Sequence, residues 1–253
     1  MKIVNTEKLP SPPYELLKQA SLFLDFDGTL IEIAERPENV SVSKDIVHLI
    51  NELLMQLSGR VVIVSGRPAS EIKHFLKHTQ VFISGSHGAE FIYPNMAFSK
   101  SNGIVPKPQI IEKLNRLIKD HPGVWIETKP FGIAIHYRLA PFAEKSCLEL
   151  ARHIAVNDEL AIQPGKQVVE LKYHTSNKGD AVRASMMIET MKNGIPLFIG
   201  DDLTDEAGFE AAAEFGGAGI LVGPERQTRA LYSLPDVKSL RTWLRRASMS
   251  DNL

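Results

Sequence analysis

The 253-residue chain contains a single cysteine, Cys147. One cysteine forms no internal disulfide, and without a partner thiol it offers no cysteine-type zinc site. It reads as a small buried apolar residue, compatible with a reducing compartment. Net charge is nearly absent as well: 29 Lys and Arg face 30 Asp and Glu, giving −1. That balance argues against a nucleic-acid binder, which usually carries a basic excess. The charges are interspersed, so no charge run marks a disordered tail. The opening MKIVNTEKLPSPPYELL lacks the apolar stretch of a signal peptide, and no later segment approaches the ~20 apolar residues of a membrane span. Internal repeats and low-complexity blocks are also missing. The expectation is a soluble, cytoplasmic protein. With 43% hydrophobic residues, the chain can build one large core or a core domain plus a smaller one.

What is present alternates. Pro10, Pro12 and Pro13 suggest an extended arm. SLFLDF (21–26), RVVIVSG (60–66) and VFISG (81–85) are short apolar runs that read as buried strands. Between the first two, Ser43 opens a helix with Ile46, Leu49, Ile50, Leu53, Leu54 and Leu57 at helical spacing, and Gly59 lies just past its end. Pro68 is placed in the first turn of the next helix, with Ile72, Phe75 and Leu76 facing inward. The pattern returns in IPLFIG (195–200) and GAGILVG (217–223), with helices through 178–191 and 205–214. Such an order implies a parallel sheet covered by helices on both faces.

The middle follows a different period. Residues 108–119 form a helix with Ile110, Ile111, Leu114, Leu117 and Ile118 as its apolar stripe. GVWIETK (123–129) and GIAIHYR (132–138) alternate around Pro130-Phe131 as a hairpin. A helix over 143–156 follows, then a second hairpin, IQPGKQVVELK, turning at Gly165. This is a small α+β module (αββαββ) inserted into the parallel domain. The predicted division is residues 1–103 with 175–253, and an insert over 104–174.

Four polar sites sit at or just after core strand ends: Asp25-Phe26-Asp27-Gly28-Thr29, Ser65-Gly66-Arg67, Lys178, and Gly200-Asp201-Asp202-Leu203-Thr204-Asp205-Glu206. An open parallel sheet binds ligands outside the carboxyl ends of its strands, so the chain order gathers these groups at one edge. Crowded carboxylates repel unless a cation sits between them. Hard oxygen ligands without nearby His or Cys select Mg²⁺. Ser65 can donate to a phosphoryl oxygen and Lys178 can supply positive charge. Asp25 and Asp27 lie two residues apart on the same side of the strand end. One can attack while the other handles protons. Taken singly, each site could be a polar turn or a helix cap. The full set in this order is far more specific.

In the insert, Glu127 and Lys129 share one strand face, His136 and Arg138 share one face of the partner strand, and Glu170 and Lys172 do the same in the last. Ile126, Ile133, Ile135, Tyr137, Val169 and Leu171 fill the opposite face and can pack on the two insert helices. One face is then covered and one open. The open face can hydrogen-bond sugar hydroxyls, or it can be a solvated face with cross-strand ion pairs.

DFDGTL, the SGR after the second strand, the NKG lysine and GDDLTDE resemble the four motifs of haloacid dehalogenase phosphatases. GSHGAE (85–90), WIETKPFGIAIHYR (125–138), VVELK (168–172) and GDDLTDEAGF (200–209) resemble the trehalose-6-phosphate phosphatases, over about residues 20–223. The resemblance implies a Rossmann-like core of the haloacid dehalogenase type with an inserted cap. It implies Asp25 as a nucleophile that becomes an aspartyl-phosphate, and Asp27 as acid and then base. Thr29, Ser65, Gly66 and Lys178 would hold the phosphoryl group. Mg²⁺ would be bound by Asp25, the Asp27 backbone carbonyl and Asp201. Arg67, Asp202 and Asp205 would support them. Sugar contacts would come from Glu127, Lys129, Arg138 and Glu170, with His87, Glu90, His136 and Lys172 as lesser candidates. His48 and His153 read as structural or exposed. Tyr173 follows Lys172 where the family often has Pro, which leaves open the path to Lys178. The implied reaction is hydrolysis of a trehalose 6-phosphate to sugar and phosphate. Related sugar phosphatases (on sucrose phosphate, for example), a phospho-receiver module and a silent regulatory subunit are the alternatives.

Overall fold

The computed structural model describes residues 9–33, 40–94, 107–129, 132–158, 160–165, 167–172 and 177–249. Tyr173, the Pro130-Phe131 turn and the side chains of Lys129 and Lys172 lie outside the described residues. In chain order the elements are α1 (Glu15–Lys18), β1 (Ala20–Asp25), α2 (Lys44–Gln56), β2 (Val61–Val64), α3 (Ala69–Phe75), β3 (Phe82–Gly85) and β4 (Glu90–Ile92). Next come α4 (Pro108–Asp120), β5 (Trp125–Lys129), β6 (Gly132–His136), α5 (Glu144–Asp158), β7 (Ala161–Gly165) and β8 (Val168–Lys172). The last are α6 (Lys178–Ser185), α7 (Glu189–Lys192), β9 (Ile195–Gly200), α8 (Glu206–Glu214), β10 (Ala218–Val222), β11 (Tyr232–Leu234) and α9 (Val237–Met249). The chain divides into two compact units, Met1–Lys100 with Ser176–Leu253, and Ser101–Thr175.

In the larger unit, seven strands among the described residues form one sheet in the order β11-β10-β9-β1-β2-β3-β4. All neighbours are parallel except β3 and β4. The expected Rossmann-like sheet is therefore present. Its strands are apolar on both faces because both faces are covered. Leu22 and Leu24 of β1 join a core with Leu49, Ile50 and Leu53 of α2 and Leu240, Trp243 and Leu244 of α9. Phe23, between them, belongs to the other face, with Val182 of α6 and Phe209 of α8.

Several local expectations change. The helix expected over 178–191 is broken, because Ile188 adopts an extended conformation and packs beneath the sheet. Pro68 caps α3 from outside instead of lying in its first turn. Ile111 of α4 is exposed, since Ile110, Leu114 and Leu117 already complete the buried stripe. The prolines at 10–13 form no element, but their carbonyls are used. Ser233 N donates to Pro10 O (3.1 Å), and Trp243 Nε1 donates to Pro12 O (2.8 Å).

The smaller unit holds an antiparallel sheet, β5-β6-β8-β7. Ile133, Ile135, Val169 and Leu171 pack on Ile110, Leu114 and Leu117 of α4 and on Cys147, Ala151 and Ile154 of α5. Each of these valine, leucine and isoleucine side chains removed from water contributes about 1.5–3 kcal/mol. The second hairpin turns after Gly165, which still pairs with Val168, and Gln167 supplies the left-handed residue (φ 60°). Arg138 lies beyond the last strand residue, His136, in a turn closed by Ala140 N to Tyr137 O (3.0 Å), although Tyr137 N still bonds across to Gln167 O (3.1 Å).

Candidate active site

Three adjacent strands, β9, β1 and β2, end side by side in polar residues. Asp25 closes β1, Ser65 follows β2 and Asp201 follows β9. Lys178, the first residue of α6, donates from Nζ to Asp25 Oδ1 and to Asp205 Oδ1, both at 2.7 Å. All three side chains are buried. Local sequence places the lysine. Asn177 caps α6 by accepting from Gly179 N and Asp180 N, while Asp180 accepts from Asn177 N. Gly179 lets α6 approach α8, since a Cβ there would meet Ala207 O at 2.4 Å.

Gly28 explains the D-x-D-G order. It has φ +83°, and a Cβ would stand 2.2 Å from Asp201 Oδ2. Its bareness admits Asp201 to the Asp25 strand end. Thr29 Oγ1 lies 3.0 Å from Asp201 Oδ1 and 3.3 Å from Asp25 Oδ2, so its one proton serves either carboxylate. Asp205 accepts Lys178 on one oxygen and, on the other, the backbone N–H groups of Asp201 (3.0 Å) and Asp202 (2.9 Å). The loop after β9 is thereby wrapped around a buried carboxylate. Asp202 itself accepts from Thr204 N and Oγ1.

Positive charge is short here. Asp25, Asp201 and Asp205 bring ligand oxygens within 4.8 Å of one another. One ammonium faces the three. Burial pushes the Asp25 carboxyl up to about 7, against the pull of Lys178, with Asp201 adding to the rise. Burial and the Asp25 charge push Asp205 up to about 8. Burial also raises Asp201. Burial alone would lower Lys178, but the Asp25 and Asp205 charges outweigh it and hold it above the usual lysine range. An all-oxygen set starved of positive charge fits a hard divalent cation.

Beside this cluster, Asp27 is gripped at both oxygens by Arg67, Nε to Oδ2 at 2.6 Å and Nη2 to Oδ1 at 2.9 Å. Arg67 also pairs with Glu71 one turn along. The Asp27 hydrogen bond, aided by Glu71, holds the guanidinium pKa up. Ser65 Oγ accepts from Arg67 N (3.1 Å), a bond that leaves its own proton to donate. A cavity of about 340 Å³ is lined by Asp25, Asp27, Ser65, Gly66, Arg67, Glu71, His87, Lys178, Asp202 and Thr204. His87 reaches it from a left-handed turn (φ 57°) held by His87 N to Ser65 O and Ser86 N to Arg67 O. Glu90 is not among the lining residues. Its buried carboxylate accepts from Ala69 N (2.9 Å) and Ser86 Oγ (2.6 Å) and so braces that turn.

Sequence reasoning missed a clamp on the Asp201–Asp202 segment. Arg226 donates to Asp202 O (2.5 Å) and to Asp201 O (3.5 Å) and pairs with Glu206. Glu206 accepts in turn from Thr228 Oγ1 and Arg229 N, both at 2.7 Å. Glu71 was findable from its i+4 spacing to Arg67. Arg226 carried no such signal, as it acts on main-chain carbonyls from an irregular segment.

On the smaller unit, register puts Glu127, Ala134, Glu170 and Gln163 in one row across the sheet. Lys129, Gly132, Lys172 and Ala161 form the next row by position. On the same face, flanking the Glu127 row at its other edge, stand Trp125, His136, Val168 and Gly165. His136 Nε2 lies 3.0 Å from Glu127 Oε2.

The trehalose-phosphatase family model matches residues 23–238. The chain belongs to this family. Among trehalose-phosphatases, the trehalose-6-phosphate phosphatase of Escherichia coli K12 is 34% identical over 245 residues, spanning 94% of this chain and 90% of that one. The crystal structure of a trehalose-6-phosphate phosphatase related protein superposes with TM-score 0.66 at 28% identity, over 91% of this chain and 97% of that one. The Aspergillus fumigatus trehalose-6-phosphate phosphatase shares the fold at TM-score 0.72 and 22% identity, over 96% and 99%. No helix among the described residues is long and apolar enough to cross a membrane.

Proposed function

We propose that this chain hydrolyses trehalose 6-phosphate to trehalose and phosphate through an aspartyl-phosphate on Asp25. Family membership supports the substrate. The observation that carries the chemistry is the buried Asp25 carboxylate, held by Lys178 beside Asp201 at the floor of the cavity. An Asp25 oxygen attacks phosphorus, and the bond to the sugar C6 oxygen breaks. Asp27 gives that oxygen its proton. Water then loses a proton to Asp27 and attacks the acyl-phosphate phosphorus, restoring the Asp25 carboxylate and releasing phosphate. Arg67 holds one lone pair on each Asp27 oxygen and leaves the others to take and give the proton, which makes Arg67 a positioning residue. Ser65 and the Gly66 backbone bind phosphoryl oxygens and Lys178 offsets their charge, while Thr29, fully buried and outside the cavity lining, ties Asp25 to Asp201 instead of meeting the phosphate. Asp25, Asp201 and the Asp27 backbone carbonyl would hold Mg²⁺, with Asp205 and Asp202 fixing the loop that carries Asp201. Bound there, Mg²⁺ supplies the charge that lets an anionic nucleophile meet a phosphate dianion.

Residues 104–174 act as the cap that reads the sugar. Glu127, Lys129, Glu170, Lys172 and His136 on its polar face, and Arg138 at the strand end, offer donors and acceptors for hydroxyls. His87 contributes from the cavity wall. Phosphate release from trehalose 6-phosphate, sucrose 6-phosphate and glucose 6-phosphate, with Mg²⁺ and with EDTA, tests the reading. Fast, EDTA-sensitive release from the trehalose ester alone is expected. Equal release from all three esters overturns the substrate, and no release from any overturns the phosphatase.

A further inference from the structure

Glu127 and Glu170 supply hydrogen-bond acceptors, but a hexose ring also presents flat C–H faces that such groups do not hold. The one large, exposed apolar side chain on the polar face of the smaller sheet, among the described residues, is Trp125, at 46% exposure. It is the direct cross-strand partner of His136, and the two rings stack at 3.8 Å with their planes 2° apart. One indole face is covered by the imidazole, so the exposure falls on the opposite face and rim. A cross-strand aromatic pair of this kind stabilises a sheet by about 0.2–1 kcal/mol, and that could be its whole purpose. The second bond of His136 argues for more. Its Nε2 lies 3.0 Å from Glu127 Oε2, so the flat apolar surface and the nearest carboxylate are tied into one constellation. A planar apolar wall with a few fixed polar groups at its edge is what a sugar ring requires.

We propose that Trp125 is the stacking platform of a pyranose subsite, held flat by His136 and edged by the Glu127 carboxylate. This rests on the sugar-phosphatase reading above and adds a specificity-determining residue to it. Trp125 sets how well a disaccharide ester is distinguished from a small phosphate ester.

Two measurements test it. In the first, kcat/KM is compared for trehalose 6-phosphate and acetyl phosphate. Trp125→Ala should lower the ratio about tenfold, the scale of one aromatic contact, mainly through KM, and Trp125→Phe should restore most of it. In the second, acrylamide quenching of tryptophan emission is followed in full-length Asp25→Asn protein. The chain has two tryptophans, and Trp243 is only 5% exposed, so quenching reports Trp125. Saturating trehalose 6-phosphate should protect the emission. If the native enzyme hydrolyses trehalose 6-phosphate, yet Trp125→Ala keeps the native ratio and the ester gives no protection, the platform is overturned and the phosphatase stands. If the native enzyme does not hydrolyse that ester, both fall. Should Trp125→Ala fail to fold, the quenching result on the native tryptophan decides.

Discussion

All six residues of β1 and all four of β2 are buried, and β9 is buried except at Ile195. In β6 the side chains of Ile133 and Ile135 sink into a helix-covered core, while His136 stands partly exposed on the face shared with Glu127 and Glu170. The large sheet therefore has no free face for chemistry. The candidate site lies where strands stop, and its carboxylates are fixed by charged partners, Asp25 by Lys178 and Asp27 by Arg67. The small sheet spends one face on its core and carries on the other a mixture of polar groups, Glu127, Glu170, Gln163 and His136, with Trp125 among them. The first arrangement suits a reaction that tolerates little displacement. The second suits recognition of many hydroxyls.

The contrast is testable by substitution. The largest effect is expected at a strand end: Asp25→Asn should lower turnover on the order of a thousandfold or more, for all phosphate esters alike, with a native circular dichroism spectrum. Arg67→Lys keeps the charge but loses the two-point grip on Asp27. A fall in kcat between about 10- and 100-fold is expected, and a change confined to KM would contradict its positioning role. Arg226→Ala leaves the Asp201 and Asp202 carbonyls without their clamp. The Mg²⁺ concentration for half-maximal activity should rise about tenfold, with a matching loss of Mg²⁺-induced thermal stabilisation. On the small sheet the two faces should separate. Ile135→Ala should cost about 2–5 kcal/mol in denaturant unfolding. Glu170→Ala should cost less than about 0.5 kcal/mol, yet lower kcat/KM for trehalose 6-phosphate about tenfold relative to an aryl phosphate. Equal effects of Glu170→Ala on both esters would deny the small sheet its reading role.

The strands of the parallel core were legible in the sequence, because LFL, VVIV and PLFIG are short continuous apolar runs ended by Asp, Ser or Gly. Asp25, Ser65 and Asp201 were legible for the same reason, each sitting where such a run ends, and Lys178 because it opens a helix just after the cap residue Asn177. The three-residue strands β4 and β11 were not, being too short for any period to show. Helix α9 was overlooked despite its spaced Val237, Leu240, Trp243, Leu244 and Ala247. The end of β6 was not legible, because alternation continues in the letters through Arg138 after the strand has stopped at His136. The hold of Arg67 on Asp27 and of Glu90 on Ser86 could not be read, since side-chain partners depend on turns such as the left-handed Ser86-His87 pair. Trp125 was hidden by ordinariness, because a tryptophan in a strand reads first as a good strand former.

The pairing of β1 with β9 also governs when the protein becomes active. Lys178 is 153 residues from the aspartate it holds, and Ala20 waits for Ile195 before that side of its strand is paired. During synthesis the chain carries Asp25 and Ser65 long before it owns the ammonium that tames them. Contacts this distant in sequence form late, and an unpaired central strand is exposed to aggregation meanwhile. Return of activity after dilution from denaturant should lag the return of helical signal, and destabilising β9 should lengthen that lag more than weakening α2. The residues that define the chemistry are also the last proof that the chain has closed.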